Sequence, residues 1–349
     1  MISKLSGTIK WMKHFTKGAN TMKSENALPT MKDVAREAGV ALGTVSKVMN
    51  GIPVGESYRR KVEEAAQKLG YQVNNYARGL KTDKTYCMAF IIPSVTHPFF
   101  AHLVQEVGKA LSQRGYRMLL MITDFDQEAE QTCINMIRMN KMDGAIGLTY
   151  NPNLEVDEAL PFVTIDRYFS STVPCVSSDN FGGGRLAAQK LWELGCRHPA
   201  FFRIGSRVPG EADKRGDGFE SFYRLKNMDY EVLRLYDGEE MAQFSQLLQK
   251  NLEAGTPIDG IFCGTDQLAW RVEKMVKALG QRVPEDVQII GFDGIRRFGD
   301  QDLYCSTIVQ PVAKIAQTCV DILLNSNRAD LPATVCLPVS FAPGGTTKE

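Results

Sequence analysis

The 349-residue chain has little of what secretion, membrane insertion or catalysis requires. No apolar run approaches the roughly 18 to 20 residues of a membrane-spanning helix. The first thirty residues hold five lysines but neither a leader-length apolar core nor a small-residue cleavage site, so a cytoplasmic protein is expected. Histidine is scarce: His14, His97, His102 and His198 form no cluster at metal-ligand spacing. The eight cysteines contain no C-x-x-C pair, which argues against zinc and a disulfide framework and for buried, reduced thiols. There is no G-x-S-x-G elbow and no G-x-x-x-x-G-K-[ST] loop; Asn180-Phe-Gly-Gly-Gly lacks both the lysine and the dinucleotide spacing. No nucleophile, base and orienting group can be assembled, so neither enzymatic activity, a cofactor nor a metal is expected.

What is present is unevenly distributed. The formal net charge is only +1, yet residues 1–84 carry 15 Lys and Arg against 7 Asp and Glu, and the remainder 26 against 33. A basic head on an acidic body suits a chain that meets phosphate at one end. Part of the excess is a lysine tail, but residues 31–84 alone still hold 10 against 6. Residues 1–30 show no periodicity; they read as a disordered basic arm, or as sequence upstream of a start at Met22 or Met31.

Periodicity begins at Thr30, an N-cap with Asp33 in the first turn. Val34, Ala35 and Ala38 share one helical face, and Gly39 stops the helix. A second helix is expected from about Leu42 to Met49, broken by Asn50-Gly-Ile-Pro53, and a third from about Glu56 to Leu69. Three short helices with a glycine turn between the first two describe a helix-turn-helix unit, or else any small three-helix bundle. In the first case the second helix would enter the major groove with Leu42, Gly43, Thr44 and Lys47 facing base edges.

From Tyr86 onward short apolar runs alternate with amphipathic helices. Strands are expected at Cys87–Ile92, Met118–Ile122, Gly144–Leu148, Phe162–Ile165, Cys175–Ser177, Ala200–Ile204, Gly260–Cys263 and Val287–Gly291, with helices between them. Such alternation yields parallel sheets wound on both faces, and two in series make two lobes with a ligand site at the carboxyl ends of the strands.

The wording of these segments resembles the LacI/GalR (lactose-repressor) family. Met31-Lys-Asp-Val-Ala-Arg-Glu-Ala-Gly-Val40, Thr44-Val-Ser-Lys-Val-Met-Asn-Gly51 and Leu69-Gly-Tyr-Gln-Val-Asn74 are similar to its DNA-binding head, and Asn75-Tyr-Ala-Arg-Gly-Leu80 to its hinge helix. In the body the similar segments include Pro98-Phe-Phe100, Ile165-Asp-Arg167, Arg215-Gly-Asp-Gly-Phe219, Gly264-Thr-Asp-Gln-Leu-Ala269, Ile290-Gly-Phe-Asp293 and Ser306-Thr-Ile-Val-Gln-Pro311. The resemblance implies an all-α helix-turn-helix head (31–74), a hinge and linker (75–85), and an α/β bilobed sensor of the periplasmic-binding-protein type with two doubly wound parallel sheets (86–349). Its N-lobe would comprise about 86–176 and 307–324, and its C-lobe about 177–306 and 325–349, with connections near Ser177, Ser306 and Asn325.

The same resemblance implies the sites. Leu42 and Gly43 would select the operator sequence, Thr44, Lys47, Asn50 and Arg78 would contact DNA, and Leu80 would wedge between base pairs in the minor groove. Ala41, Gly43 and Lys47 depart from the family's usual residues: the cap serine, a readout side chain and an arginine fork are all absent. Between the lobes His97, Phe99, Phe100, Asp166, Arg167, Arg215, Thr265, Asp293 and Gln310 would contact the effector, His97 being otherwise a solvated loop histidine. The function implied is a cytoplasmic, homodimeric repressor on a pseudo-palindromic operator, controlled by a small carbohydrate. Its rivals are control by a protein co-regulator, a sugar-transport component and a sugar-metabolising enzyme.

Overall fold

The computed structural model describes residues 29–49, 51–71, 84–168, 170, 172–297, 302–325, 327 and 331–348. Asn50, Arg78, Leu80 and nearly all of the expected hinge lie outside the described residues. The chain divides into two units, residues 1–78 and 79–349.

The first unit contains α1 (Met31–Ala38), α2 (Leu42–Met49) and α3 (Glu56–Leu69). The start of α1 is fixed as the sequence suggests: the Asp33 carboxylate accepts from the Thr30 amide at 3.0 Å and from its hydroxyl at 2.7 Å. Gly39 closes the helix at φ 63°, a conformation a side chain would strain. Ala41 offers no capping side chain, and its carbonyl alone receives the Thr44 and Val45 amides. Val34, Ala35, Val45, Val62 and Ala65 form a core belonging to this unit alone.

The second unit holds two six-stranded sheets. In chain order its elements are β1 (Cys87–Ile92), α4 (Pro98–Gln113), β2 (Arg117–Ile122), α5 (Gln127–Met139), β3 (Gly144–Gly147), β4 (Phe162–Ile165), β5 (Cys175–Ser178), α6 (Asn180–Glu193), β6 (Pro199–Gly205), α7 (Lys214–Leu225) and β7 (Glu231–Tyr236). There follow α8 (Ala242–Glu253), β8 (Gly260–Cys263), α9 (Asp266–Ala278), β9 (Gln288–Asp293), β10 (Ser306–Val309), α10 (Val312–Leu324), β11 (Thr334–Leu337) and β12 (Ser340–Ala342). The N-lobe sheet runs β11-β5-β4-β3-β1-β2 and the C-lobe sheet β12-β10-β9-β8-β6-β7, parallel but for the antiparallel β10–β12 pair. Each sheet separates two apolar cores, which is why β1, β3, β4, β8 and β9 are buried almost end to end.

The chain crosses between the lobes three times, and here the expected boundaries need correction. The first crossing follows β5 as anticipated. The second follows β10, which pairs with β9 and so belongs to the C-lobe, placing the crossing after Val309 and not at Ser306. The third lies between Leu337 and Ser340 and not at Asn325, because β11 pairs with β5 and extends the N-lobe. The exposed edge location of β11 also overturns one thiol expectation: Cys336 is exposed and Cys87 half-buried, whereas the other six cysteines are buried. Among the described residues no helix is long and apolar enough to cross a membrane.

Helices α6 and α7 pack with almost no gap. A Cβ on Gly184 would overlap the Arg215 carbonyl, and one on Gly218 the Phe181 carbonyl. This closeness lets Arg215, in the first turn of α7, reach Asn180 at the head of α6. Gly184→Ala is expected to lower stability by roughly 1–3 kcal/mol through overpacking. Urea unfolding reads this directly; an unchanged midpoint would mean that the helices separate without cost.

Candidate functional site

Two surfaces carry the residues singled out by sequence, one in each unit. In the head, α2 turns Val45 into the core and leaves Leu42, Gly43 and Lys47 exposed, with Thr44 partly so. Leu42 is 44% exposed although apolar.

In the body, eight of the nine proposed effector residues line one cavity of about 170 Å³: His97, Phe99, Phe100, Asp166, Arg167, Arg215, Thr265 and Asp293. They come from both lobes. Asp166 and Arg167 follow β4, Thr265 follows β8 and Asp293 ends β9, so the carboxyl ends of parallel strands converge here as that topology requires. Asp166 at φ 55° and Asp293 at φ 133° hold left-handed backbone conformations uncommon for non-glycine residues. Such strain persists where the surrounding structure enforces a functional geometry.

Arg215 is the electrostatic centre. Its guanidinium is buried; Nε donates to Asn180 Oδ1 at 2.8 Å and Nη1 to the Gly264 carbonyl at 2.6 Å. The Asp293 carboxylate stands 3.8 Å away, and the Phe292 ring lies under the guanidinium at 3.7 Å. Burial pushes the Asp166 carboxyl up to about 6 against the opposing pull of Arg215. Burial likewise raises Asp293 well above the usual carboxylate range, with Arg215 resisting and buried Asp266 adding to the rise.

Two sequence expectations change. His97 is no solvated loop residue: it precedes α4, lines the cavity, and burial followed by the Arg215 charge lowers it to about 4, so it is neutral. Gln310 does not line the cavity. Buried behind it, Gln310 donates from Nε2 to Asp293 Oδ1 at 2.7 Å and accepts from Ser178 Oγ at 2.8 Å, which makes it a positioning residue. Thr265 has a double role, since its hydroxyl also caps α9 by accepting from the Leu268 amide at 3.2 Å.

The structure adds groups that the sequence reading passed over. Arg203 is a cation in the otherwise apolar strand β6, ion-paired with Asp213 at 2.5 Å. Tyr150 extends the carboxyl end of β3, and burial raises its hydroxyl to about 12. Beneath it, fully buried Glu130 on α5 accepts the amides of Tyr150 at 2.8 Å and Asn151 at 3.0 Å. A charge inside an apolar strand and an acid on the inner face of an amphipathic helix were the available signals. Arg167 links the lobes, donating from Nε to the Thr149 carbonyl at 2.8 Å and from Nη1 across the cleft to Pro209 at 2.9 Å.

The chemistry is that of a hydroxyl-rich guest. Every arginine of the chamber is already engaged: Arg167 on carbonyls, Arg203 on Asp213, Arg215 on Asn180 and Gly264. His97 Nδ1, Asp166 Oδ1 and Asp293 Oδ2, by contrast, are buried without a partner. Buried polar atoms ordinarily find one. Such atoms beside the rings of Phe99 and Phe100 suit hydroxyl donors on an apolar frame far better than a phosphate.

Comparison with known proteins gives each unit a family match. Residues 30–74 match the family of bacterial regulatory proteins described as the lacI family, and residues 85–341 match the periplasmic binding proteins and sugar binding domain of that family. The chain is 31% identical over 325 residues to the sucrose operon repressor of Pediococcus pentosaceus, covering 91% of this chain and 99% of that one. It is 26% identical to a periplasmic binding protein/LacI transcriptional regulator from Alkaliphilus metalliredigens QYMF complexed with D-xylulofuranose, with TM-score 0.65 over 76% of this chain and all of the other. The Lac repressor bound to ONPG, 24% identical, shares the fold with TM-score 0.76, covering 92% of this chain and 100% of its own.

Proposed function

Given that this chain belongs to the LacI family of bacterial regulatory proteins, we propose that it is a homodimeric repressor whose grip on a pseudo-palindromic operator is set by a carbohydrate held between the lobes. The observation that carries the sugar reading is the presence of partnerless buried polar atoms, among them His97 Nδ1, Asp166 Oδ1 and Asp293 Oδ2, in a chamber whose arginines are all committed. A dimer follows from contact area. One three-helix head reaches few phosphates, and two-fold symmetry lets two heads read matching half-sites. The action is cytoplasmic, where the operator is. Effector binding would alter the balance between lobe arrangements through groups such as Arg167, which already spans the cleft. It can do so only by the difference in its affinity for the two DNA-binding states.

The test is selection of binding sites from a random DNA pool, followed by titration of the recovered site with sugars. Two-fold-symmetric sites, and a sugar that shifts their affinity, are the expected result. Sites without symmetry would refute the dimeric reading, and indifference to every sugar the carbohydrate one. Leu80→Ala is expected to weaken the selected site roughly tenfold, the scale of one lost base-step contact, while binding to random DNA stays unchanged. Equal loss on both DNAs in a gel-shift assay would remove Leu80 from sequence readout.

A further inference from the structure

We propose that the sensor carries a second saccharide subsite outside the inner chamber and that its effector is an uncharged disaccharide or longer sugar; this rests on the carbohydrate reading above. The inner chamber opens into an outer cavity of about 650 Å³, and His97, Phe100, Tyr150 and Thr265 line both. A ring seated against Arg215 therefore has a continuous path for a second ring to follow.

The outer walls are made for such a guest. Phe125 stands at the rim 47% exposed, edge-on to Tyr150 with 5.1 Å between ring centroids. It reaches that place at a conformational cost: Asp124 and Phe125 are consecutive non-glycine residues with φ of 50° and 63°. The loop is held there by the Asp124 amide bonded to the Pro93 carbonyl at 2.9 Å, and by Asp126, which caps α5 through the Ala129 amide at 2.7 Å. A strained turn that presents an aromatic ring to solvent is poor packing, but it is a suitable platform for the apolar face of a pyranose.

The remaining outer groups are mostly neutral hydrogen-bonders, among them Ser94, Thr96, Gln127 and Gln267. Only Asp237 and Arg271 add charge, one of each sign. A phosphorylated or carboxylated second ring would find no cluster of cations to receive it. A neutral ring finds a stacking surface on one side and donors and acceptors around it.

Calorimetry on the full chain tests this with eight probes: ribose, fructose, glucose and galactose, and sucrose, maltose, cellobiose and lactose. At least one disaccharide should bind roughly tenfold more tightly than either of its constituent sugars. Phe125→Ala should remove roughly five- to tenfold of that gain, the worth of one aromatic contact, and leave monosaccharide affinity unchanged. Phe125→Trp should keep the gain. Because the ring is half outside, the sugar-free protein should stay folded in both variants, with its melting temperature falling by no more than a few degrees. Monosaccharides binding as tightly as every disaccharide that contains them, or Phe125→Ala weakening both alike, would overturn the outer subsite alone. Failure of all eight to bind would overturn the carbohydrate reading and the subsite with it.

Discussion

Arg215→Ala should abolish the response to effector while leaving effector-free DNA binding as it was. The guanidinium supplies the chamber's central positive charge, held by Asn180 and Gly264 and facing Asp293. Its loss removes the charge that favours ionised Asp166 and Asp293, and a hydrogen bond to a charged group contributes about 1.5–3 kcal/mol. It also leaves two buried carboxyls without compensation, so both become neutral and accept poorly from hydroxyls. Two such contacts correspond to a fall in effector affinity of roughly a hundredfold or more. Arg215→Lys keeps the charge but neither the planar fork nor the stack on Phe292, and should fall between the two. Calorimetry measures the first effect, and a gel shift with the selected operator the second. The head packs around a core of its own, so its DNA surface does not depend on Arg215. Loss of DNA binding in Arg215→Ala would instead show a structural residue whose removal unfolds the sensor.

What could be read from sequence follows from where physics acts locally. Thr30 with Asp33, Gly39 and the apolar faces of α1 to α3 are short-range signals, and the head matches them nearly residue for residue. Central strands such as β1 and β9 announce themselves as continuous apolar runs because both of their faces are covered. The edges did not. Strand β7 is half-exposed with charges at Glu231 and Arg234, and β11 and β12 are only four and three residues long. Their membership is decided by pairing across the sheet, which no local pattern records, and the misplaced third crossing is a direct consequence. In the same way, the proposed effector residues lie on separate segments, and resemblance to the family picked out residues that line one cavity where spacing could not. Gln310 shows the limit of that route: it stands at a site position yet acts through Asp293. Arg203 and Glu130 left a local signal as charges among apolar neighbours, but Tyr150 became visible only when distant segments met.

The chamber's proton chemistry yields a second large effect, with opposite signs for affinity and stability. Asp166 sits near 6, and Asp293 is also raised, chiefly by burial. His97, near 4, stays neutral above pH 5 and contributes nothing in this range. In the sugar-free sensor both carboxyls hold protons more tightly than in the unfolded chain, where they would titrate near 3.9. Their contribution to stability is therefore complete below that value and declines as pH rises through about 6 and beyond. Binding runs the other way. Sugar hydroxyls donate best to ionised carboxylates, and Asp166 Oδ1 and Asp293 Oδ2 are the partnerless acceptors. The guest should thus expel protons, and its affinity should climb with pH by up to roughly tenfold per unit for each proton released. Between pH 5.5 and 8 we expect a rise of roughly ten- to a hundredfold, while the melting temperature of the sugar-free protein falls. Asp166→Asn should flatten the lower part of the affinity curve and Asp293→Asn the upper part. Calorimetry in buffers of different ionisation heat counts the protons. Uptake in place of release would mean that the guest brings acceptors or negative charge to these carboxyls, which a neutral sugar seated as proposed does not.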